Sequence, residues 1–162
     1  MNKFTKILLL FLFSLSLALS DTNSTQEVSK KVVIDLTTGE LKNFEKKILS
    51  AIARNKAYYE GKLQELQVAV VIHGDSYKFF LKDIASSSYK DQANLLKANQ
   101  DLQKRISFLA ENYEVEFLMC AVGVKNKEIN PNNIYPFVTL VANSTIGLID
   151  KQSEGYAYIP VD

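Results

Sequence analysis

The sequence predicts an α/β fold: a parallel sheet with helices on its faces. Three observations carry that expectation. Val68-Ala69-Val70-Val71-Ile72 and Phe117-Leu118-Met119-Cys120-Ala121-Val122 are apolar at every position, as strands buried on both sides are. Apolar runs alternate with amphipathic stretches along the chain, which is the order of βα units with right-handed crossovers. No internal repeat, low-complexity tract or second domain interrupts the alternation.

Taken in order, Val32-Val33-Ile34 opens a first strand that ends near Leu36. Thr37-Thr38-Gly39-Glu40 reads as a capping box, with Thr37 and Glu40 satisfying each other's free backbone donors. The helix it starts carries Leu41, Phe44, Ile48, Ala51, Ile52 and Tyr59 at spacings of three and four, and Gly61 ends it. After the second strand, His73-Gly74-Asp75-Ser76 forms a turn in which Asp75 and Ser76 cap a short helix. That helix places Tyr77, Phe80, Leu81 and Ile84 on one face. Ser86-Ser87-Ser88 is loop, and a longer helix from about Asp91 to Asn112 turns Leu95, Leu102, Ile106 and Leu109 inward. Beyond the third strand, Gly123 and Asn130-Pro131 break the chain. Phe137 to Val141 is a fourth strand, Asn143 caps a brief helix holding Ile146 and Ile149, and Tyr156-Ala157-Tyr158-Ile159 is a last, alternating strand suited to a sheet edge.

The N-terminus has three zones. Lys3 and Lys6 give a positive segment, Ile7 to Leu19 is apolar but for Ser14 and Ser16, and Ala18-Leu19-Ser20 presents small residues before Asp21. This is the pattern of a cleavable secretory signal over residues 1–20, and the apolar run falls short of the roughly 20 residues of a membrane-spanning helix. Export to the periplasm is the expectation. With no cysteine near the cleavage point, a lipid-anchored lipoprotein is excluded. Residues 21–30 are polar and aperiodic and read as a flexible lead-in to a single domain over 31–162.

Removing 20 of the 162 residues leaves 142. Lys3 and Lys6 are two of the 19 basic residues, so 17 remain against 18 acidic, a net charge of −1. No basic cluster stands out. Nucleic acid is therefore not an expected partner, nor is a membrane surface after signal cleavage. A single cysteine allows no internal disulfide, so the domain must rest on its core. Surface-capable aromatics, among them Tyr58, Tyr59, Phe79 and Tyr89, favour burial against copies of the same chain.

Ligands of open parallel sheets bind outside the carboxyl ends of the strands. Those ends carry Asp35 and Thr37, then His73, Gly74, Asp75 and Ser76, then Cys120 to Lys125. The only cysteine and the only histidine of the chain both fall on this rim. Cys120 has two readings: a small buried hydrophobe between Met119 and Ala121, or a thiolate favoured by helix starts and by Lys125 and Lys127. An exposed sulfur near rim cations favours a reactive role, and a buried one favours a binding module whose cleft holds a small ligand. His73 is either a general base beside the sulfur or a strand-end residue bonded to backbone. Two fully apolar strands joined by a helical crossover are expected to be neighbours. His73 and Cys120 then share one cleft with Gly74, Asp75, Ser76, Lys125 and the helix start at Tyr77. A flavodoxin-like order, with the first strand between them, is the alternative.

Other chemistries lack their residues. No Gly-x-Gly-x-x-Gly or Walker-type loop offers a phosphate cradle. One His and one Cys do not make a zinc site, and no Gly-x-Ser-x-Gly elbow is present. No cofactor is expected, a flavin having only the general architecture behind it. Asn23-Ser24-Thr25 and Asn143-Ser144-Thr145 match the glycosylation sequon.

Four short segments, in order, resemble the DsrE/DsrF-like family, in particular its exported single-domain branch. They are Val32-Val33-Ile34-Asp35-Leu36-Thr37, Val70-Val71-Ile72-His73-Gly74 with Lys78-Phe79-Phe80-Leu81, Phe117-Leu118-Met119-Cys120 with Ile129 nine residues on, and Glu154-Gly155-Tyr156-Ala157-Tyr158-Ile159. The resemblance implies a three-layer α/β/α sandwich around a five-stranded, mostly parallel sheet, assembled into trimers or hexamers. It also implies a sulfur-relay role, in which the cysteine after the third strand, matched here by Cys120, carries a persulfide between a sulfur donor and an acceptor protein. Many relatives continue with an Arg-Gly-Ile step; here Asn126-Lys127-Glu128-Ile129 stands in its place.

Overall fold

The computed structural model describes residues 29–162, so the signal segment, the first sequon and most of the lead-in lie outside the described residues. Five strands form one wholly parallel sheet: β1 (Lys30–Leu36), β2 (Leu66–Ile72), β3 (Glu116–Cys120), β4 (Val138–Val141) and β5 (Ala157–Val161), in the order β4-β3-β2-β1-β5. Strands β2 and β3 are neighbours, as their apolar character predicts, and β1 does not separate them.

Helix α1 runs over residues 41–60, with Glu45–Ser50 wound as a π-helix in its middle. Together with α2 (Ala93–Asn112) it covers one face of the sheet. There Phe44, Ile48 and Ile52 of α1 and Leu95, Leu102, Ile106 and Leu109 of α2 meet Ile34, Leu36, Val70, Ile72, Phe117 and Met119. Phe80 sits between Phe44 and Phe117, with ring centroids 5.7 and 5.3 Å away. The other face is thinner. Val33, Ala69, Val71 and Leu118 pack under α4 (Ser144–Ser153). Gly147 lets that helix approach closely, since a Cβ there would lie 3.3 Å from Val141 Cγ2 and 3.6 Å from Val71 Cγ2. Lys151, nearly buried, ties α4 to the start of β3 through Glu116 at 2.7 Å.

Several local expectations fail, each for a visible reason. The capping box does not form. The backbone of Thr37 and its hydroxyl both bond to Val161 O of β5, so Thr38 Oγ1 accepts from Glu40 N instead, and Glu40 occupies the cap position without a side-chain bond to the helix backbone. The segment after β2 is a 3-10 turn, Ser76–Phe80, and not a helix through Ile84, because Leu81 leaves it to bridge Ile134 in an antiparallel contact. Tyr77, Phe80, Leu81 and Ile84 are nonetheless all buried. The third strand stops at Cys120, and Ala121–Asn126 is helix α3, with Gly123 inside it. Lys30 already belongs to β1, the last strand is exposed from Ala157 to Pro160 without alternation, and Phe79 is core, stacked on Phe44 at 4.2 Å. Asn143 caps α4 as expected, its Oδ1 accepting from Ile146 N at 2.9 Å, but Ile146 and Ile149 face outward.

Candidate functional site

The carboxyl rim is shaped by how the chain leaves β2. His73 N donates to Leu36 O and Asp75 N to Thr37 O, each at 3.0 Å, so the turn is laced to the end of β1. Gly74 makes this possible. Its φ is +65°, and a Cβ there would lie 2.9 Å from Thr37 O. Gly74→Ala is expected to destabilise the protein by about 1–3 kcal/mol, read as a lower urea midpoint with an unchanged slope. Ser76 is fully buried, and its hydroxyl is spent on Leu36 O at 2.9 Å and His73 O at 2.7 Å. Neither Asp75 nor Ser76 caps the following turn with its side chain; Asp75 pairs instead with Lys127, Nζ to Oδ1 at 3.3 Å.

Cys120 is the last residue of β3 and the residue from which α3 starts. It is 6% exposed. Burial alone would push its thiol up. Hydrogen bonding from Gly123 N–H, the Tyr77 hydroxyl, Ser144 N–H and Val122 N–H outweighs that and holds it below the ordinary thiol range. Two helix starts thus lie beside the cysteine and lower its thiol: α3 supplies Val122 and Gly123, and α4 supplies Ser144.

Tyr77 completes the surround. It is 1% exposed and donates to Cys120 O at 3.1 Å. That bond holds the carbonyl while the thiol is protonated; the hydroxyl has one proton, and an ionised sulfur beside it competes for the same donor. Burial first, and the neighbouring Cys120 second, raise Tyr77 far above the ordinary phenol range, so it remains a donor. The contact depends on Gly123, where a Cβ would fall 1.7 Å from Tyr77 Oη.

His73 takes a different partner. Its Nε2 bonds Asp35 Oδ1, and Tyr158 Oη donates to Asp35 Oδ2 at 2.7 Å. The β2–β3 ladder ends at Ile72↔Met119, so His73 and Cys120 are the next residues on adjacent strands, roughly one 4.8 Å strand spacing apart. Asp35 shares a face with Val33, and Cys120 shares one with Leu118 and pairs with Val141 of β4, so both stand on the α4 side of the sheet by alternation, while Cys120 also packs into the main core.

Lys125, placed in the cleft by its sequence position, is exposed. The cation that reaches the rim is Lys127, 5.9 Å from the centroid of the Tyr77 ring. Lys78 lies nearby; burial chiefly lowers it, with Asp75 opposing and Lys127 reinforcing. Lys78 also lines a cavity of about 320 Å³ with Gly39, Leu41, Phe79 and the start of α2. Among the described residues, no cluster of three or more His, Cys, Asp or Glu side chains could hold a metal.

Gly123 and Tyr158 have no place in the site read from the sequence, and Asp35 and Tyr77 stand on its rim there without a chemical role. Asp35 carried a signal, being the one charged residue in an otherwise apolar strand end.

Known proteins agree with this architecture. An uncharacterized protein from Aquifex aeolicus (strain VF5) is 25% identical over 130 residues, 80% of this chain, and the match covers 55% of that relative's length. The solved structure of a protein of unknown function from Methanobacterium thermoautotrophicum superposes with a TM-score of 0.58 at 18% identity, covering 82% of this chain and 99% of the other, and so shares the fold. The sequence pattern of the DsrE/DsrF-like family matches residues 30–161, nearly the whole described domain, and the chain belongs to that family.

Proposed function

We propose that this is an exported sulfur-handling protein in which Cys120 accepts and carries sulfane sulfur as a persulfide. The single observation behind this reading is where Cys120 sits: at the start of α3, beside the start of α4 and the Tyr77 hydroxyl, among donors that lower its thiol although it is buried. A cysteine that served only as packing would need none of them, whereas a thiolate, and the terminal sulfur of a persulfide after it, needs that charge stabilised. Family membership supports the same chemistry. Export rests on the three-zone pattern of residues 1–20. Self-association is part of the proposal, supported by Ile146 and Ile149 on α4 and by Leu140 on the β4 edge, all of them exposed.

One observation favours the second reading, a ligand-binding module without turnover: Cys120 is buried at the rim rather than open to solvent. The two separate on treatment with polysulfide. After removal of the excess reagent, cold cyanide should release close to one equivalent of thiocyanate from the wild type and none from Cys120→Ser. Equal release from both proteins would favour the binding module.

A further inference from the structure

Four side chains stand in a row across the carboxyl end of the sheet, on four consecutive strands: Tyr158 on β5, Asp35 on β1, His73 just past β2, and Cys120 at the tip of β3. In the β1–β5 ladder Val33 faces Tyr158 and Asp35 faces Pro160, so Tyr158 and Asp35 lie on the same side of the sheet. The tyrosine reaches up one row to the carboxylate. Asp35 is a carboxylate set into a strand between Ile34 and Leu36, its side chain 15% exposed, and both of its oxygens are engaged. Both hydrogen bonds cross between neighbouring strands whose ladders are already complete through the backbone. What they fix is the imidazole. With Nε2 bonded to the carboxylate, that nitrogen carries a proton, and in the neutral ring Nδ1 is the lone-pair nitrogen. No protein group bonds Nδ1 among the described residues.

Resting on the persulfide reading above, we infer that Tyr158 and Asp35 are positioning residues that hold His73 as the proton shuttle for sulfur transfer at Cys120. The thiol proton of Cys120 passes to Nδ1. The thiolate attacks the outer sulfur of a hydropersulfide, R–S–SH, forming a new S–S bond at Cys120 and breaking that of the donor. The electron pair of the broken bond leaves with R–S⁻, which takes the proton back from the imidazolium as R–SH. Atoms and electrons balance with the hydropersulfide as the only co-reactant. Asp35 stabilises the imidazolium between the two steps, and Tyr158, half-exposed at the sheet edge, stabilises Asp35 in turn. The charged and titratable groups about the row are Asp35, Tyr158 and Cys120, with Asp162 acting on Tyr158 and the Asp75–Lys127 pair beyond the turn.

The test is the rate of loading of Cys120 by a small hydropersulfide, followed by intact mass, in the wild type, Asp35→Asn, His73→Gln and Tyr158→Phe, together with the ¹⁵N NMR tautomer of His73. Loading should slow by about 100-fold in His73→Gln and Asp35→Asn and by less in Tyr158→Phe, with the same end-point in every variant. The wild-type ring should hold its proton on Nε2, and Asp35→Asn should lose that preference. Wild-type rates in the variants, or slow loading with an unchanged tautomer, would overturn the shuttle while leaving the carrier reading intact. A wild type that takes up no sulfur would overturn both. If Asp35→Asn does not fold, Tyr158→Phe, which removes only one edge hydroxyl, decides between the same outcomes.

Discussion

Gly123→Ala should give the largest structural effect of any single methyl group added to this protein. The new Cβ would fall 1.7 Å from Tyr77 Oη, 2.3 Å from Cζ and 2.9 Å from Cε2. Those atoms are the far end of a side chain, but the ring is 1% exposed and part of the main core, so it has nowhere to swing. Either the ring leaves its pocket or α3 shifts away from it, and both outcomes break the bond to Cys120 O. Overpacking of this kind costs about 3 kcal/mol, and the stranded hydroxyl adds to it. The urea midpoint should fall accordingly, and the variant should lose sulfur uptake, because Gly123 N–H and Tyr77 are two of the groups that lower the Cys120 thiol. Wild-type stability with wild-type uptake would show that the Tyr77–Gly123 contact does not shape the site.

The second large effect is on the titration of Cys120. Its thiol is held below the ordinary thiol range by donors that outweigh its burial. Alkylation by iodoacetamide reports the thiolate, so its rate should level off at high pH and fall as pH drops through a midpoint below that of an unperturbed cysteine. Tyr77→Phe removes one donor and should move the midpoint up. The linkage to stability has a definite sign. The folded-state value is depressed, so the contribution is present above the unfolded value and is lost as pH falls through the folded one. Cys120→Ser should therefore flatten the stability profile on the alkaline side. A midpoint at or above the ordinary range would leave the donors without effect on the sulfur.

What the sequence discloses and what it hides follow from how each feature is encoded. Strands β2 and β3 were legible because burial on both faces removes polar residues from every position, and their adjacency follows from that. His73 and Cys120 were legible as rim residues because strand ends can be read directly. The capping box misled because Thr37 matches it locally while a strand far along the chain, ending at Val161, claims both its backbone and its hydroxyl. The segment from Tyr77 to Ile84 has helical spacing and is buried as that spacing requires, yet the long-range pairing of Leu81 with Ile134 overrides the helix. Ile146 and Ile149 follow a helical rhythm, but the buried face of α4 is set by the small Gly147 pressed on Val71 and Val141. The donors at the sulfur were the least legible. Backbone N–H groups have no residue identity, and Ser144 N–H arrives from a different helix. Tyr158 reaches Asp35 only because β5 returns to pair with β1.

Intact mass of the wild type and Cys120→Ser, before and after exposure to polysulfide, tests most directly whether this cysteine carries sulfur. The wild type should gain the mass of sulfur, on the peptide containing Cys120 alone, and lose it on addition of dithiothreitol, while Cys120→Ser gains none. No mass gain in the wild type, or the same gain in Cys120→Ser, would contradict the account.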